Sequence, residues 1–355
     1  MKIIITGCAG FIGNHLARKL LNDGHTIIGI DNFSLGFDKN IIDLKKNFYN
    51  TFSFFEKDIR YMDNHDSAFD KYCADTQVVY HLAGQTELYF CQEKPYEAID
   101  INIKGTVQVL NWSKRIDVQH FIFMDTSAEY DNLLLTTINL LNNEEIEKFN
   151  YYPNKERYAP SINTPVGFYS ITKMAAAQFV RSWTHYEKRR STIIRPFNVY
   201  GPSININRDI PPVIGAFAKK LLLKQKPIIF GDGSKSRDFI YVDDAIDLLV
   251  KVLTQHNFVM NGETRDDSQT FNMGTGKTYS VKEILYFVDQ EINERTKDSS
   301  KLEIDWQPNK EHETQITLAD ITNTSSYFDW KPKIEIKEGI SKTVRSIAKE
   351  LGVKY

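Results

Sequence analysis

Short apolar runs rich in β-branched residues alternate with amphipathic stretches over the first 130 residues. "KIIIT" (2–6), "HTIIGI" (25–30), "VVYHLAG" (78–84) and "FIFMD" (121–125) read as strands, and "NHLARKLLND" (14–23) and "YEAIDINIKGTVQVLNWSKR" (96–115) as helices. Strand and helix in alternation predict parallel strands with helical crossovers, a doubly wound α/β sheet. After residue 131 the pattern loosens into Asn, Pro and charge, and a convincing helix starts again near Gly167. A connection this long predicts a lid or binding insertion, placed at 132–160. Beyond residue 200, Pro202, Pro211, Pro212 and "IIFGDGSKSRDFIYVDD" (228–244) predict loops and short elements. We find no internal repeat and no low-complexity tract.

Length and charge narrow the picture. A chain of 355 residues exceeds what one hydrophobic core usually supports, which predicts two associated lobes. A formal net charge of −2 gives no general attraction to nucleic acid or to an anionic membrane, while a local basic groove can still hold a phosphorylated small molecule. Cys8, Cys73 and Cys91 are odd in number and lack metal-ligand spacing, so the chain is expected in a reducing, cytoplasmic compartment without a metal site. No run approaches the roughly 18 apolar residues of a membrane span.

The first chemistry lies in "TGCAGFIG" (6–13). Gly7, Gly10 and Gly13 fall between a strand and a helix, where a tight turn, a close approach to pyrophosphate and close helix packing all call for glycine. The uncapped N–H groups of the helix, Phe11 and Ile12 among them, then face the phosphates. Asp31 ends the second strand, 18 residues after Gly13, near the spacing expected of a carboxylate bonding an adenosine ribose. A carboxylate there repels a 2′-phosphate, so the expected cofactor is NAD, held in a Rossmann-type domain. Asn32, Asp58 and Ile59 at neighbouring strand ends, with Leu82 and Ala83 of "HLAG", complete the expected cofactor contacts; His81 reads as a packed strand residue.

The second chemistry lies in "FYSITKMAAAQFV" (168–180), which sets Tyr169 and Lys173 four apart on one helical face. An ammonium one turn away favours the phenolate and draws its pKa from about 10 towards neutrality, making Tyr169 a general acid/base for hydroxyl/carbonyl interconversion.

With "TGCAGFIG", "DNFSLG" (31–36), "HLAGQTE" (81–87), "NIKGT" (102–106), "YSITK" (169–173), "RPFNVYGP" (195–202), "GDGSKSRDFIYVDD" (231–244) and "FNMGTGK" (271–277) in this order, the chain resembles the NAD-dependent nucleotide-sugar epimerase/dehydratase group of extended short-chain dehydrogenases/reductases. The resemblance implies that Tyr169 and Lys173 act on a sugar hydroxyl, with a Ser or Thr at the preceding strand end. It also implies substrate contacts from Glu87, Ser127, Asn198 and Arg237, and a homodimer joined through helices at about 96–115 and 168–189. The implied architecture is an NAD domain over 1–202 with 235–260 returning to it. A smaller C-terminal α/β lobe of 203–234 and 261–355 would bind the nucleotide-sugar.

Departures from the family pattern cluster in "DTSAEYD" (125–131). Aligned without a gap, Thr126 takes the catalytic hydroxyl position, Asp131 replaces the usual glycine, and Ser127 and Ala128 stand where the 4,6-dehydratases carry Asp-Glu. A one-residue deletion would instead give Ser127 the hydroxyl position and make Glu129 the dehydratase glutamate. The ungapped register leaves "FIFM" undisturbed, so Thr126 is the preferred residue and Ser127 the reserve. In "PNKEHETQITLAD" (308–320), Lys310 and His312 replace an expected arginine and glycine, which points to an unusual sugar or base. The expected activity is removal of hydride at hexose C4 and its return to give a 4-epimer. C4 oxidation or reduction, or 4,6-dehydration, through the same keto sugar are the alternatives within enzymes, and a non-catalytic NAD-binding sensor or scaffold is the alternative of another class.

Overall fold

A computed structural model describes residues 1–130, 154–156, 167–254, 270–297, 302–309 and 314–355. Most of the 132–160 insertion, Asp131, Lys310 and His312 lie outside the described residues. The chain forms two compact units, Met1–Glu129 with Ala159–Pro196 and Ile246–Phe271, and Tyr130–Tyr158 with Phe197–Ala245 and Asn272–Tyr355.

The first unit is built on β1 (Lys2–Thr6), β2 (Thr26–Asp31), β3 (Phe52–Glu56), β4 (Val78–His81), β5 (His120–Met124) and β6 (Arg190–Pro196). Together with β7 (Thr270–Met273) they make a seven-stranded sheet in the order β7-β6-β5-β4-β1-β2-β3. The pairs from β3 across to β6 are all parallel. Helices α1 (Phe11–Asn22), α2 (Asp38–Asn47), α3 (Ser67–Cys73), α4 (Gly105–Arg115) and α5 (Phe168–Glu187) lie in the successive crossovers. Strands buried on both faces read as continuous apolar runs, as in β1 and β5. Phe69 and Trp112 stack at 5.3 Å beneath the sheet, and Phe121, Val180, Trp183 and Ile193 extend the same core.

The strand order reverses beside β1, and there the chain is tightest. Gly7 has φ +73°, and a Cβ on it would sit 2.8 Å from the Ala83 amide nitrogen. A Cβ on Gly13 would sit 2.1 Å from the Gly7 carbonyl oxygen. The glycines therefore let α1 start close against β1 and β4.

The single helix predicted over 96–115 is broken. Pro95–Ile99 is α-helical, Asp100–Lys104 forms a π-turn, and α4 follows. The wider turn brings the Asn102 side chain inward, where it donates to the Gln85 carbonyl at 3.0 Å and to Thr172 Oγ1 at 3.0 Å, and accepts from the Gln85 amide at 2.8 Å. Period alone does not distinguish α from π winding; the polar partners of Asn102 decide it here.

In the second unit, Asn198–Tyr200 pairs parallel with Phe239–Tyr241, and Ser236–Arg237 lies between Tyr279–Ser280 and Ile316–Thr317. Helices Val213–Leu222, Val281–Thr296 and Ile336–Leu351 pack on one another. Asp238 ties these pieces together: its carboxylate accepts from the Thr275, Gly276 and Ala319 amides and from the Thr275 hydroxyl, at 2.7–3.2 Å.

The 2.1 Å approach at Gly13 leaves no room for a methyl group. Gly13→Ala should therefore lower stability by about 1–3 kcal/mol. The check is a lower urea midpoint at an unchanged slope, and an unmoved midpoint would contradict it.

Candidate active site

Parallel strands end on one edge of a sheet, and in doubly wound folds that edge carries the chemistry. Here the edge brings together the glycine turn after β1, Asp31 at the end of β2, Asp58 after β3, Leu82 and Ala83 after β4, and Thr126 after β5.

At β1, Gly10 caps α1 without any side-chain hydrogen bond, and no acidic residue sits in the first turn. The first N–H groups of α1, including those of Phe11 and Ile12, are thus left for an anion. Asp31 is 9% exposed, and its two oxygens accept from the Ala9 amide at 2.9 Å and the Phe33 amide at 2.8 Å. Burial pushes its pKa up while these backbone donors pull it back. Each carboxylate oxygen keeps a further lone pair for a ligand hydroxyl. Asn32 donates to Asp58 at 3.0 Å, and Arg60 grips Asp58 through Nε and Nη2, which holds that carboxyl below the usual range. Ile59 is buried beside Gly105. This glycine cradle, uncapped helix start and fixed carboxylate fit a dinucleotide.

At β5 the catalytic candidates converge. Lys173 is buried on α5, donates to the Met124 carbonyl at 2.6 Å, and lies 4.1 Å from the centre of the Phe123 ring. Burial lowers its pKa to about 8, against the pull of Asp125 and Glu129. Tyr169 lies one turn earlier on α5 and is half-buried. Thr126 follows two residues after Met124; its Oγ1 accepts from the Ala128 amide at 3.1 Å, at the start of a 3₁₀ turn over Ser127–Tyr130. Ser127 is half-buried in that turn. Glu129, the carboxylate of the gapped register, is 1% exposed and bonded to Arg195 Nη2 at 2.7 Å. It faces an arginine within the protein.

Behind the site, His81 Nδ1 meets Thr6 Oγ1 at 2.8 Å and Nε2 meets Thr106 Oγ1 at 3.1 Å. Thr106 already gives its proton to the Asn102 carbonyl, so Nε2 must carry the hydrogen and Nδ1 must accept. Burial, then the Lys173 charge, lowers the His81 pKa to about 3. A neutral His81 thus links β1, β4 and α4.

Glu87 lies at the start of the short helix Leu88–Glu93, its amide donating to Gln85 Oε1 at 3.0 Å. Asn198 and Arg237 belong to the second unit. Asn198 Nδ2 donates to the Asp238 carbonyl at 2.9 Å, and Arg237 Nη1 to the Ser236 carbonyl at 2.8 Å. Sequence reasoning passed over Asn102 and Arg195. The only available signals were the Asn of "NIKGT" and the Arg opening "RPFNVYGP", neither of which declares its partners.

Known proteins fit this geometry. The model of the NAD dependent epimerase/dehydratase family matches residues 3–274. A putative UDP-glucose 4-epimerase of Methanocaldococcus jannaschii is 31% identical over 343 residues, which is 96% of this chain and 97% of that protein. The crystal structure of a UDP-glucose 4-epimerase from Thermotoga maritima, with UDP-glucose, superposes with a TM-score of 0.80 at 25% identity, over 99% of this chain and 100% of that one. The UDP-glucuronic acid 4-epimerase from Bacillus cereus, in complex with UDP-glucuronic acid and NAD, gives 0.79 at 26% identity over the same shares. Glycine cradle, Tyr/Lys helix and a match spanning three quarters of the length leave one conclusion: the chain belongs to the NAD dependent epimerase/dehydratase family.

Proposed function

We propose that the chain is an NAD-dependent 4-epimerase of a UDP-linked hexose or hexuronate. The observation that carries this reading is the buried Lys173 ammonium, fixed on the Met124 carbonyl at 2.6 Å and one helical turn from Tyr169. The two epimerase crystal structures and the archaeal relative support the substrate class.

In this reading the first unit holds NAD through Gly7, Gly10, Phe11, Ile12, Gly13, Asp31, Asn32, Asp58, Ile59, Leu82, Ala83, Tyr169 and Lys173. NAD, when bound, supplies the acceptor and donor of hydride. Asp31, already oriented by two amides, takes a ribose hydroxyl and disfavours a 2′-phosphate. Lys173 stabilises the phenolate of Tyr169, which accepts the proton of the sugar C4 hydroxyl and later returns it. Thr126 orients that hydroxyl. Asn102, through Gln85 and Thr172, positions the loop before Glu87 and the helix that carries Tyr169. Glu87, Ser127, Asn198 and Arg237 contact the substrate, the arginine being suited to a diphosphate or ribose by its paired donors. Turning the keto sugar over between proton removal and return gives the 4-epimer.

Dehydration needs an acid and a base near C5 and C6. The seclusion of Glu129 against Arg195, with Ser127 and Ala128 following Thr126, weighs against it. The three cysteines, all free and buried, support a reducing, cytoplasmic setting. Among the described residues no helix is long and apolar enough to cross a membrane. A homodimer is supported by apolar side chains left exposed on the helices that the resemblance assigns to the interface: Tyr96 at 87%, Ile99 at 44% and Phe179 at 47%.

Incubation with a panel of UDP-hexoses and UDP-hexuronates, followed by NMR, should give a C4 epimer of unchanged mass. Loss of water or net cofactor reduction would select one of the alternatives, and a panel without turnover or cofactor response would select the binding-module reading. Tyr169→Phe should cut turnover by about 10²–10⁴-fold with NAD still bound. Near-normal turnover would remove Tyr169 from the chemistry. Since Lys173 loses its proton as pH rises through about 8, kcat/KM should decline on the alkaline side near that value. A profile flat to pH 10 would contradict the role given to the ammonium. Sedimentation equilibrium should give twice the 41.1 kDa chain mass, and a monomer at micromolar concentration would exclude the dimer.

A further inference from the structure

Thr126 is flanked by two acidic residues buried side by side. Asp125 and Glu129 are 2% and 1% exposed. Arg195, fully buried on β6, reaches both: Nε to Asp125 Oδ2 at 3.0 Å and Nη2 to Glu129 Oε2 at 2.7 Å. This satisfies one oxygen of each carboxyl group. The others, Asp125 Oδ1 and Glu129 Oε1, are buried and meet no N–H or O–H donor among the described residues. Both carboxyl groups lie along one edge of the guanidinium, the edge that Nε and Nη2 share, which sets them next to each other. Ionised carboxyl groups only accept, so two carboxylates there have no hydrogen to offer each other. One proton on the pair turns an orphan acceptor into a donor and removes one of the two like charges.

We propose that Asp125 and Glu129 share one proton at neutral pH, forming an acid pair that Arg195 clamps and that positions the strand end carrying Thr126.

Burial and the Asp125 charge raise the Glu129 pKa well above the usual carboxyl value, with the Arg195 and Arg181 charges opposing. Lys173, from α5, is the third cation that faces the pair. These cations favour ionisation, but Lys173 donates to the Met124 carbonyl and Arg181 Nη2 to Thr270 Oγ1. The pair then carries a single negative charge against the Arg195 guanidinium. Two ionised carboxylates on one edge of a single buried guanidinium repel strongly, as in other carboxyl pairs that retain one proton. The shared proton stands on this geometry alone; its bearing on turnover rests on the reading of Thr126 and Lys173 given above. Glu129 is a positioning residue in this assignment and touches no substrate.

Infrared difference spectra of the full chain at pH 8, with ¹³C-carboxyl Glu and Asp, test the proton without reference to activity. A neutral carboxylic acid band is expected, shifted by the label and lost in both Glu129→Gln and Asp125→Asn. Absence of a band in the wild-type protein, or its survival in both variants, overturns the assignment. The pH profile of kcat/KM gives a second readout. If the pair already holds one proton, Glu129→Gln changes no charge and the alkaline limb stays where it was. If both carboxyl groups are ionised, the substitution removes a negative charge near Lys173 and moves the limb down by on the order of one pH unit. A shift of that size overturns the proposal. Wild-type protein inactive on every nucleotide-sugar would count against the proposed function and leave the infrared result standing.

Discussion

An ammonium group buried at the end of a strand is the constraint around which the first unit is arranged. Lys173 reaches the Met124 carbonyl from α5, the helix of the β5–β6 crossover, and this contact fixes how α5 lies against β5. A cation out of water is costly unless it is paired and hydrogen-bonded. The neighbourhood answers with a backbone carbonyl, the face of Phe123, and the negative charge of the Asp125/Glu129 pair. Because Tyr169 lies one turn away on the same rigid helix, whatever fixes Lys173 also fixes Tyr169. The placement of the Tyr169/Lys173 pair is thus a by-product of where one charge can be stabilised.

Parallel topology places the other groups on the same edge. The C-terminal ends of β1, β2, β4 and β5 deliver the glycine turn, Asp31, Leu82 and Thr126 without long loops. The turn is held by backbone crowding at Gly7 and Gly13, while Asp31 is held by the Ala9 and Phe33 amides. Pre-set groups of this kind bind a ligand with little further ordering.

Much of this was legible in the sequence because its causes are local or repetitive. Apolar runs gave β1 to the residue and β5 to within one, β4 ended three residues before its run did, and the glycine spacing placed the start of α1. The four-residue spacing of Tyr169 and Lys173 required only that the segment be helical, which it is. What escaped depends on partners far apart in the chain. The π-turn at Asp100–Lys104 is set by Gln85 and Thr172, which periodicity in that segment cannot reveal. The environment of Glu129 is set by Arg195, 66 residues away, so a carboxylate that reads as a candidate acid is in fact withdrawn from solvent.

The placement of His81 shows why burial and chemistry have to be considered together. A histidine within the field of a buried lysine would add a second positive charge to a dry site if it were protonated. Its two threonine partners fix the neutral tautomer, and burial drives the pKa to about 3, so the ring stays neutral across any working pH. The proposed acid pair follows the same logic beside Lys173, one proton on two carboxyl groups leaving one negative charge instead of two. On that proposal each of these neighbours of the ammonium holds one charge state near neutrality. Lys173 itself, lowered to about 8, is left as the group of that cluster whose charge changes in the working range. With Tyr169 as the proposed general acid/base, a site built this way confines its response to pH to the tyrosine and the lysine one turn away.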